Sequence, residues 1–165
     1  MLNKEIQKAL NEQVSVEAQA SYNYLAMASW CDKSGLQGAA KFLYRQSDEE
    51  RQHMLKLFKY INESGGHAST PGIKQAQADY KSIGQVFELA LNQEMDNTRC
   101  INSLAEICLK YKDYSSFNFL QWFISEQHEE EMLFRSILDK IRIIGNEEKG
   151  LFWIDKEIGG IEVKG

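Results

Sequence analysis

Within Leu43-Tyr44-Arg45-Gln46-Ser47-Asp48-Glu49-Glu50-Arg51-Gln52-His53-Met54-Leu55-Lys56-Leu57, the residues Leu43, Gln46, Glu50, His53 and Leu57 recur at steps of three and four, and Tyr60 continues the series. Such steps keep side chains on one face of an α-helix. A face that packs into a core should be apolar from end to end, yet Glu50 and His53 occupy its midpoint. Three further stripes have the same interruption. One reads Leu10, Gln13, Glu17, Ala20, Tyr24, Met27, Cys31. Another reads Ile83, Phe87, Ala90, Glu94, Asn97, Ile101, Leu104, Cys108. The last reads Leu120, Phe123, Gln127, Glu130, Phe134, Ile137, Ile141. In a bundle of four helices of similar length the midpoints lie at one level. Glu17, Glu50, His53, Glu94, Gln127 and Glu130 should therefore converge on one buried point. Four carboxylates are not buried together unless they share protons or cations. Two divalent cations would balance them, which points to a dinuclear metal site inside an all-α, four-helix bundle.

The 165 residues fit one domain, spanning 1–165, with a sizeable core. A single proline suits long helices. No apolar run is long enough to span a bilayer, and Met1-Leu2-Asn3-Lys4-Glu5 is not the start of a secretory signal. Cys31, Cys100 and Cys108 have no metal-ligand spacing. Cys31 and Cys108 fall on core stripes and read as small buried hydrophobes, so a cytoplasmic location is expected. The net charge of -5, with no basic cluster, argues against nucleic acid as a partner.

Turn chemistry divides the chain. A first helix is expected over about Asn3–Asp32, broken by Ser34-Gly35, and a second over about Leu36–Glu63, stopped by Ser64-Gly65-Gly66. The segment His67–Lys81 contains Thr70-Pro71-Gly72 and lacks helical periodicity; it is long enough to cross the bundle. A third helix starts near Ser82, with Gln85 completing a capping box, and ends near Tyr111. After Lys112-Asp113 a fourth runs over about Tyr114–Ile144. The bundle thus spans 3–145, with antiparallel hairpins joined by a long crossover between helices 2 and 3. Gly145–Gly150 is expected to be a loop, and 151–158 a short fifth helix. That helix is too short to stand alone. Packing against other copies of the chain is the expected arrangement, with docking on its own bundle as the other reading. Trp30, Phe58 and Tyr114 are further candidates for subunit contacts.

Glu50-x-x-His53 lets both side chains reach one ion from a single helical turn. Taken singly, each polar residue has an ordinary alternative. His53 would suit a satisfied core, Glu17 and Glu94 could reach solvent, and Gln127 and Glu130 could belong to the acidic run Glu126–Glu131. Their coincidence in one layer sets them apart. The donor set is mostly hard oxygen with one nitrogen and no sulfur. It disfavours structural zinc and iron–sulfur clusters and suits iron or manganese, with zinc as a competitor.

The chain resembles the bacterial non-haem ferritins along essentially its whole length. The resemblance rests on Glu17 in Asn11-Glu12-Gln13-Val14-Ser15-Val16-Glu17, on Glu49-Glu50-x-x-His53, on Glu94, and on Phe117–Trp122 leading into Glu126-Gln127-His128-Glu129-Glu130. Ferritin-like di-iron bundles commonly carry Glu-x-x-His on two helices. Here only one is present, and the fourth helix offers Gln127-x-x-Glu130, as in ferritins rather than bacterioferritins or rubrerythrins. The amide suggests that one iron is held less firmly. The resemblance implies one iron on Glu17, Glu50 and His53, and a second on Glu94 and Glu130, with Glu50 and Glu130 bridging and Gln127 beside them. A third iron site would use Glu49, Glu126 and Glu129; plain solvated charges are the other reading of these residues. Tyr24, by resemblance, lies near the site and supplies an electron to oxygen, against a core tyrosine with a satisfied hydroxyl. Trp122 stands between the same two readings.

The function implied is iron storage with ferroxidase activity. Two ferrous ions per subunit would be oxidised by dioxygen (or peroxide), and ferric oxide-hydroxide deposited inside a shell of about twenty-four copies, with the last helices at its four-fold axes. No haem is expected, because Arg51 stands where bacterioferritin offers methionine. A di-iron peroxidase or oxygenase on the same bundle is the alternative, although the Cys-x-x-Cys module of rubrerythrins is lacking. A signalling bundle resembling a helical cytokine leaves the polar layer unexplained.

Overall fold

The computed structural model describes residues 1–145 and 147–162. The chain forms α1 (Lys4–Lys33), α2 (Gln37–Glu63), α3 (Ile83–Lys110), α4 (Tyr114–Ile144) and α5 (Glu148–Gly159). α1 pairs with α2 and α3 with α4, while α1 also packs on α3, and α5 packs on α2 and α4. The α1–α2 hairpin is antiparallel: the Leu2 amide donates to the Ser64 carbonyl at one end, and Ser21 and Ser47 exchange hydroxyl-to-carbonyl bonds of 2.7 and 2.8 Å further along. Among the described residues no helix is long and apolar enough to cross a membrane.

Local chemistry sets the helix ends. The Asn3 side chain accepts the Glu5 amide at 2.8 Å, and the Ser82 hydroxyl accepts the Gln85 amide at 3.1 Å. Gln85 reaches back to the Lys81 amide, one residue before the cap, at 2.7 Å, a variant of the expected capping box. Asp113 takes the Ser116 amide and hydroxyl. Gly35, Gly65 and Gly145 have φ near +78, a conformation that side chains resist. The crossover runs along α1. Asn11 binds His67 and Ser69, Gln19 binds both backbone groups of Lys74, and Tyr80 stands edge-on to Trp30.

The core is divided in two. One apolar half gathers Tyr24, Phe42, Phe87, Phe134 and Ile154. The other gathers Ile6, Leu10, Leu57, Ile101 and Phe123. Between them lies a buried polar layer supplied by all four long helices. Cys31 and Cys108 are buried in the two halves, and burial pushes their thiols up to about 12 and about 11.

The structure revises the end of the chain. α5 begins at Glu148 rather than Leu151, because the Leu151 amide bonds to the Glu147 carbonyl and starts the helix a turn earlier. Gly150, expected in the loop, is helical. A β-carbon there would lie 2.7 Å from the Ile144 side chain, so close packing accounts for the glycine. Asn146, within the same expected loop, lies outside the described residues. α5 docks on its own bundle through buried Ile154 and Ile158. Asp155 accepts the Gly38 and Ala39 amides at 3.0 and 2.8 Å and so caps α2, whose own N-cap residue, Leu36, offers no side-chain bond. Phe152 and Trp153 remain exposed on the other face. Trp30 and Phe58 are partly buried within the fold, and Tyr114 is exposed.

Candidate metal centre

The four interrupted stripes meet. Glu17 on α1, Glu50 and His53 on α2, Glu94 on α3, and Gln127 and Glu130 on α4 are all buried. The tightest grouping is Glu17, Glu50 and His53, each offering a ligand atom within 4.8 Å of the others. His53 Nδ1 lies 3.3 Å from Glu50 Oε2 and 4.0 Å from Glu17 Oε2. Glu94 and Glu130 stand on the α3–α4 side. Charge repulsion reaches Glu50 from Glu94, Glu17 and Glu130 alike, which puts the four carboxylates in one electrostatic neighbourhood.

An amide shell of Gln13, Gln46, Asn97 and Gln127, all on the same four stripes, holds the carboxylates. Gln13 donates to Glu17 Oε1 at 2.8 Å and to Asn97 Oδ1 at 2.6 Å. Asn97 donates to Glu17 Oε2 at 3.2 Å. Gln46 donates to Glu130 Oε2 at 2.8 Å. Gln127 donates to Glu94 Oε2 at 3.0 Å, and the Tyr24 hydroxyl donates to Glu94 Oε1. Glu17 and Glu94 thus have both oxygens engaged. Glu50 differs: both of its oxygens, and His53 Nδ1, are buried without a hydrogen-bond partner. Such groups destabilise a fold unless something else satisfies them. A hard-oxygen set with one imidazole, its lone pairs converging and unspent, fits a divalent cation.

Protons stand in for that charge when no cation is bound. Burial, then Glu94, Glu17 and Glu130, push the Glu50 carboxyl well above its ordinary range. Burial raises Glu130 to about 8, with Glu94 adding to the effect and the Gln46 bond opposing it. Glu94 rises to about 7 through burial, held back by its bonds from Tyr24 and Gln127. Burial lowers His53, favouring the neutral imidazole that a metal requires. Tyr24 is raised well above 10 by burial and by Glu94, so its hydroxyl keeps its proton.

Glu49, Glu126 and Glu129 line a cleft of about 550 Å³ together with Glu130 and Glu162. Glu130 therefore belongs to both the buried layer and the cleft. Burial, then Glu126, raise half-buried Glu49 to about 7. Glu162 was not anticipated, since the tail after α5 shows no periodicity. Its neighbour Ile161 is held by Arg45, whose guanidinium donates to the Ile161 carbonyl at 2.6 Å. Trp122 stands edge-to-face with His53, ring centres 5.2 Å apart, and is 37% exposed.

Residues 7–144 match the Ferritin family, described as a ferritin-like domain. A probable bacterial non-heme ferritin-like protein of Haemophilus influenzae is 47% identical over 99% of both chains. The bacterial non-heme ferritin of Campylobacter jejuni is 47% identical over 98% of this chain and 96% of that one. An open pore ferritin from Archaeoglobus fulgidus superposes with a TM-score of 0.95 at 33% identity, covering 98% of this chain and 100% of the other. These likenesses do not favour a peroxidase or oxygenase.

Proposed function

The chain belongs to the ferritin family, and from that premise we propose that it takes up ferrous iron, oxidises it with dioxygen in the buried layer and stores the ferric product as a mineral. The observation that carries this reading is the juxtaposition of Glu17, Glu50 and His53 with the unpartnered Glu50 oxygens and His53 Nδ1. Two ferrous ions per chain are the substrate. Glu17, Glu50 and His53 receive one and Glu94 and Glu130 the other. Glu50 is placed to bridge, because both of its oxygens are spared by the amide shell. Gln127 spends its amide N–H on Glu94 and its carbonyl accepts from Asn97 at 3.5 Å, so it serves beside the pair.

The chain's own groups set the stage for oxidation. Glu50, Glu94 and Glu130 give up their protons as the dications arrive, neutral His53 offers Nδ1, and the Tyr24 hydroxyl fixes Glu94. The two ferrous ions would each yield one electron to dioxygen, which takes up two protons and leaves at the peroxide level, while the ferric ions go on to the mineral. The cleft at Glu49, Glu126 and Glu129 adjoins the centre through Glu130 and supplies the third iron site. Storage requires an enclosed volume, so the chain assembles as a homo-oligomeric shell of about two dozen copies, in the cytoplasm. Exposed Phe152 and Trp153 on α5 supply apolar surface for that assembly. Arg51 is exposed on α2 and offers no thioether to a haem.

Aerobic addition of ferrous iron followed by gel filtration tests the reading. Iron far in excess of three per chain should travel with a protein peak near twenty-four times the chain mass. Iron that stops at two or three per chain, or that travels with monomers, would reject storage.

A further inference from the structure

His53 is held in an unusual way. Metal-binding histidines commonly donate their second ring N–H to a carboxylate or carbonyl, which fixes the ring. Among the described residues no such bond to His53 is seen: Glu126 acts on it through charge without a hydrogen bond, and the side away from Glu17 and Glu50 is walled by aromatic rings. The imidazole meets Trp122 edge-to-face at 5.2 Å and Phe123 at 6.1 Å, and those two rings meet each other at 4.9 Å. Phe123 is buried in the core, whereas Trp122 is 37% exposed. The Trp122 ring is covered by Lys56, whose ammonium sits 3.5 Å from its centre. Lys56 follows His53 by three residues on α2, so the two side chains emerge from the same side of the helix. The indole therefore touches both the imidazole and the ammonium of one helical turn.

We propose that Lys56 is a positioning residue for metal binding: its cation–π contact pins Trp122 against His53 and so keeps Nδ1 turned toward Glu17 and Glu50. The proposal rests on the reading of that triad as a metal site. Without a bond to its far nitrogen, the imidazole has little to choose between its two flipped orientations except the shape of the aromatic wall. A mobile Trp122 would remove that choice. A bare electrostatic view predicts the reverse sign. Lys56 lies within about 9 Å of the imidazole, from the two spans just given, and a positive charge there repels an incoming dication. Removing it should then tighten binding.

Anaerobic zinc(II) titration by calorimetry, on the assembled metal-free protein, separates the two. Lys56→Met, which keeps the stem and deletes the charge, should weaken the first binding event by a few-fold to about tenfold, and Lys56→Arg should restore it. In a background carrying Trp30→Phe and Trp153→Phe, Lys56→Met should also give Trp122 a fast local component in time-resolved anisotropy that Lys56→Arg lacks. Unchanged or tighter zinc binding in Lys56→Met, or a Trp122 as rigid as in the parent, overturns the proposal. If the parent itself binds no zinc that Glu50→Ala abolishes, the metal-site reading fails instead.

Discussion

Glu50 was legible as an anomaly because a carboxylate had no business on a core stripe, and the same logic exposed Glu17, Glu94 and Glu130. Gln13, Gln46 and Asn97 lay on those stripes too, but an amide in a core is a weak signal until its partners are known, and the partners come from other helices. Lys56 and Glu162 were illegible for a related reason: each matters through a neighbour remote in sequence. Two predictions belong to this scale. Glu49→Ala and Glu129→Ala should leave the rapid oxidation of the first two ferrous ions per chain intact while changing the ratio of iron oxidised to oxygen consumed, read by stopped-flow absorbance with an oxygen electrode. Loss of the rapid phase in either would move those residues into the primary centre. The second concerns pH. Glu94 and Glu130 have folded-state values of about 7 and about 8 against an ordinary 4.5. The folded metal-free chain thus holds protons that the unfolded chain releases above 4.5. Their contribution to stability is full below 4.5 and is lost as pH rises through 7 and 8. His53, held neutral, acts oppositely below 6.5, but the carboxylates outnumber it. Urea midpoints with chelator present should fall from pH 5 to pH 8, and Glu50→Gln should recover about 1 kcal/mol at pH 8. A midpoint that rises over that range would show that the carboxylates are ionised and paired without metal.

The four long helices were readable because period and turn chemistry agreed, and their ends fall within a residue or two of the expected positions. α5 was read less well. Gly150 looked like a breaker, since a sequence does not reveal that Ile144 crowds it. The cap of α2 was equally hidden: Leu36 cannot cap, and the carboxylate that does, Asp155, arrives from the far end of the chain. The docking of α5 is close enough that a β-carbon on Gly38 would lie 2.0 Å from the Asp155 carbonyl oxygen. Asp155→Ala should cost about 1 kcal/mol in chemical denaturation, the usual loss for an N-cap. An unchanged midpoint would mean that water caps α2 equally well.

At the scale of the molecule, one chain shows what an assembly would use without showing the assembly. α5 turns Ile154 and Ile158 inward and leaves Phe152 and Trp153, 65% and 61% exposed, facing out. Deleting residues 151 onward should leave the four-helix bundle helical by circular dichroism and shift native mass away from the shell, as read by light scattering. A full-size shell without α5 would assign assembly to the bundle faces alone. Between the two halves of the core, the buried carboxylates and the unpartnered Glu50 oxygens burden the metal-free fold, and metal binding would account for that cost. The most direct test of that claim is stopped-flow oxidation of two ferrous ions per chain by dioxygen in Glu50→Ala beside the parent. Loss of the rapid phase, with the metal-free bundle still folded, is the result expected. Oxidation at the parent's rate would make the layer structural polarity and contradict the account.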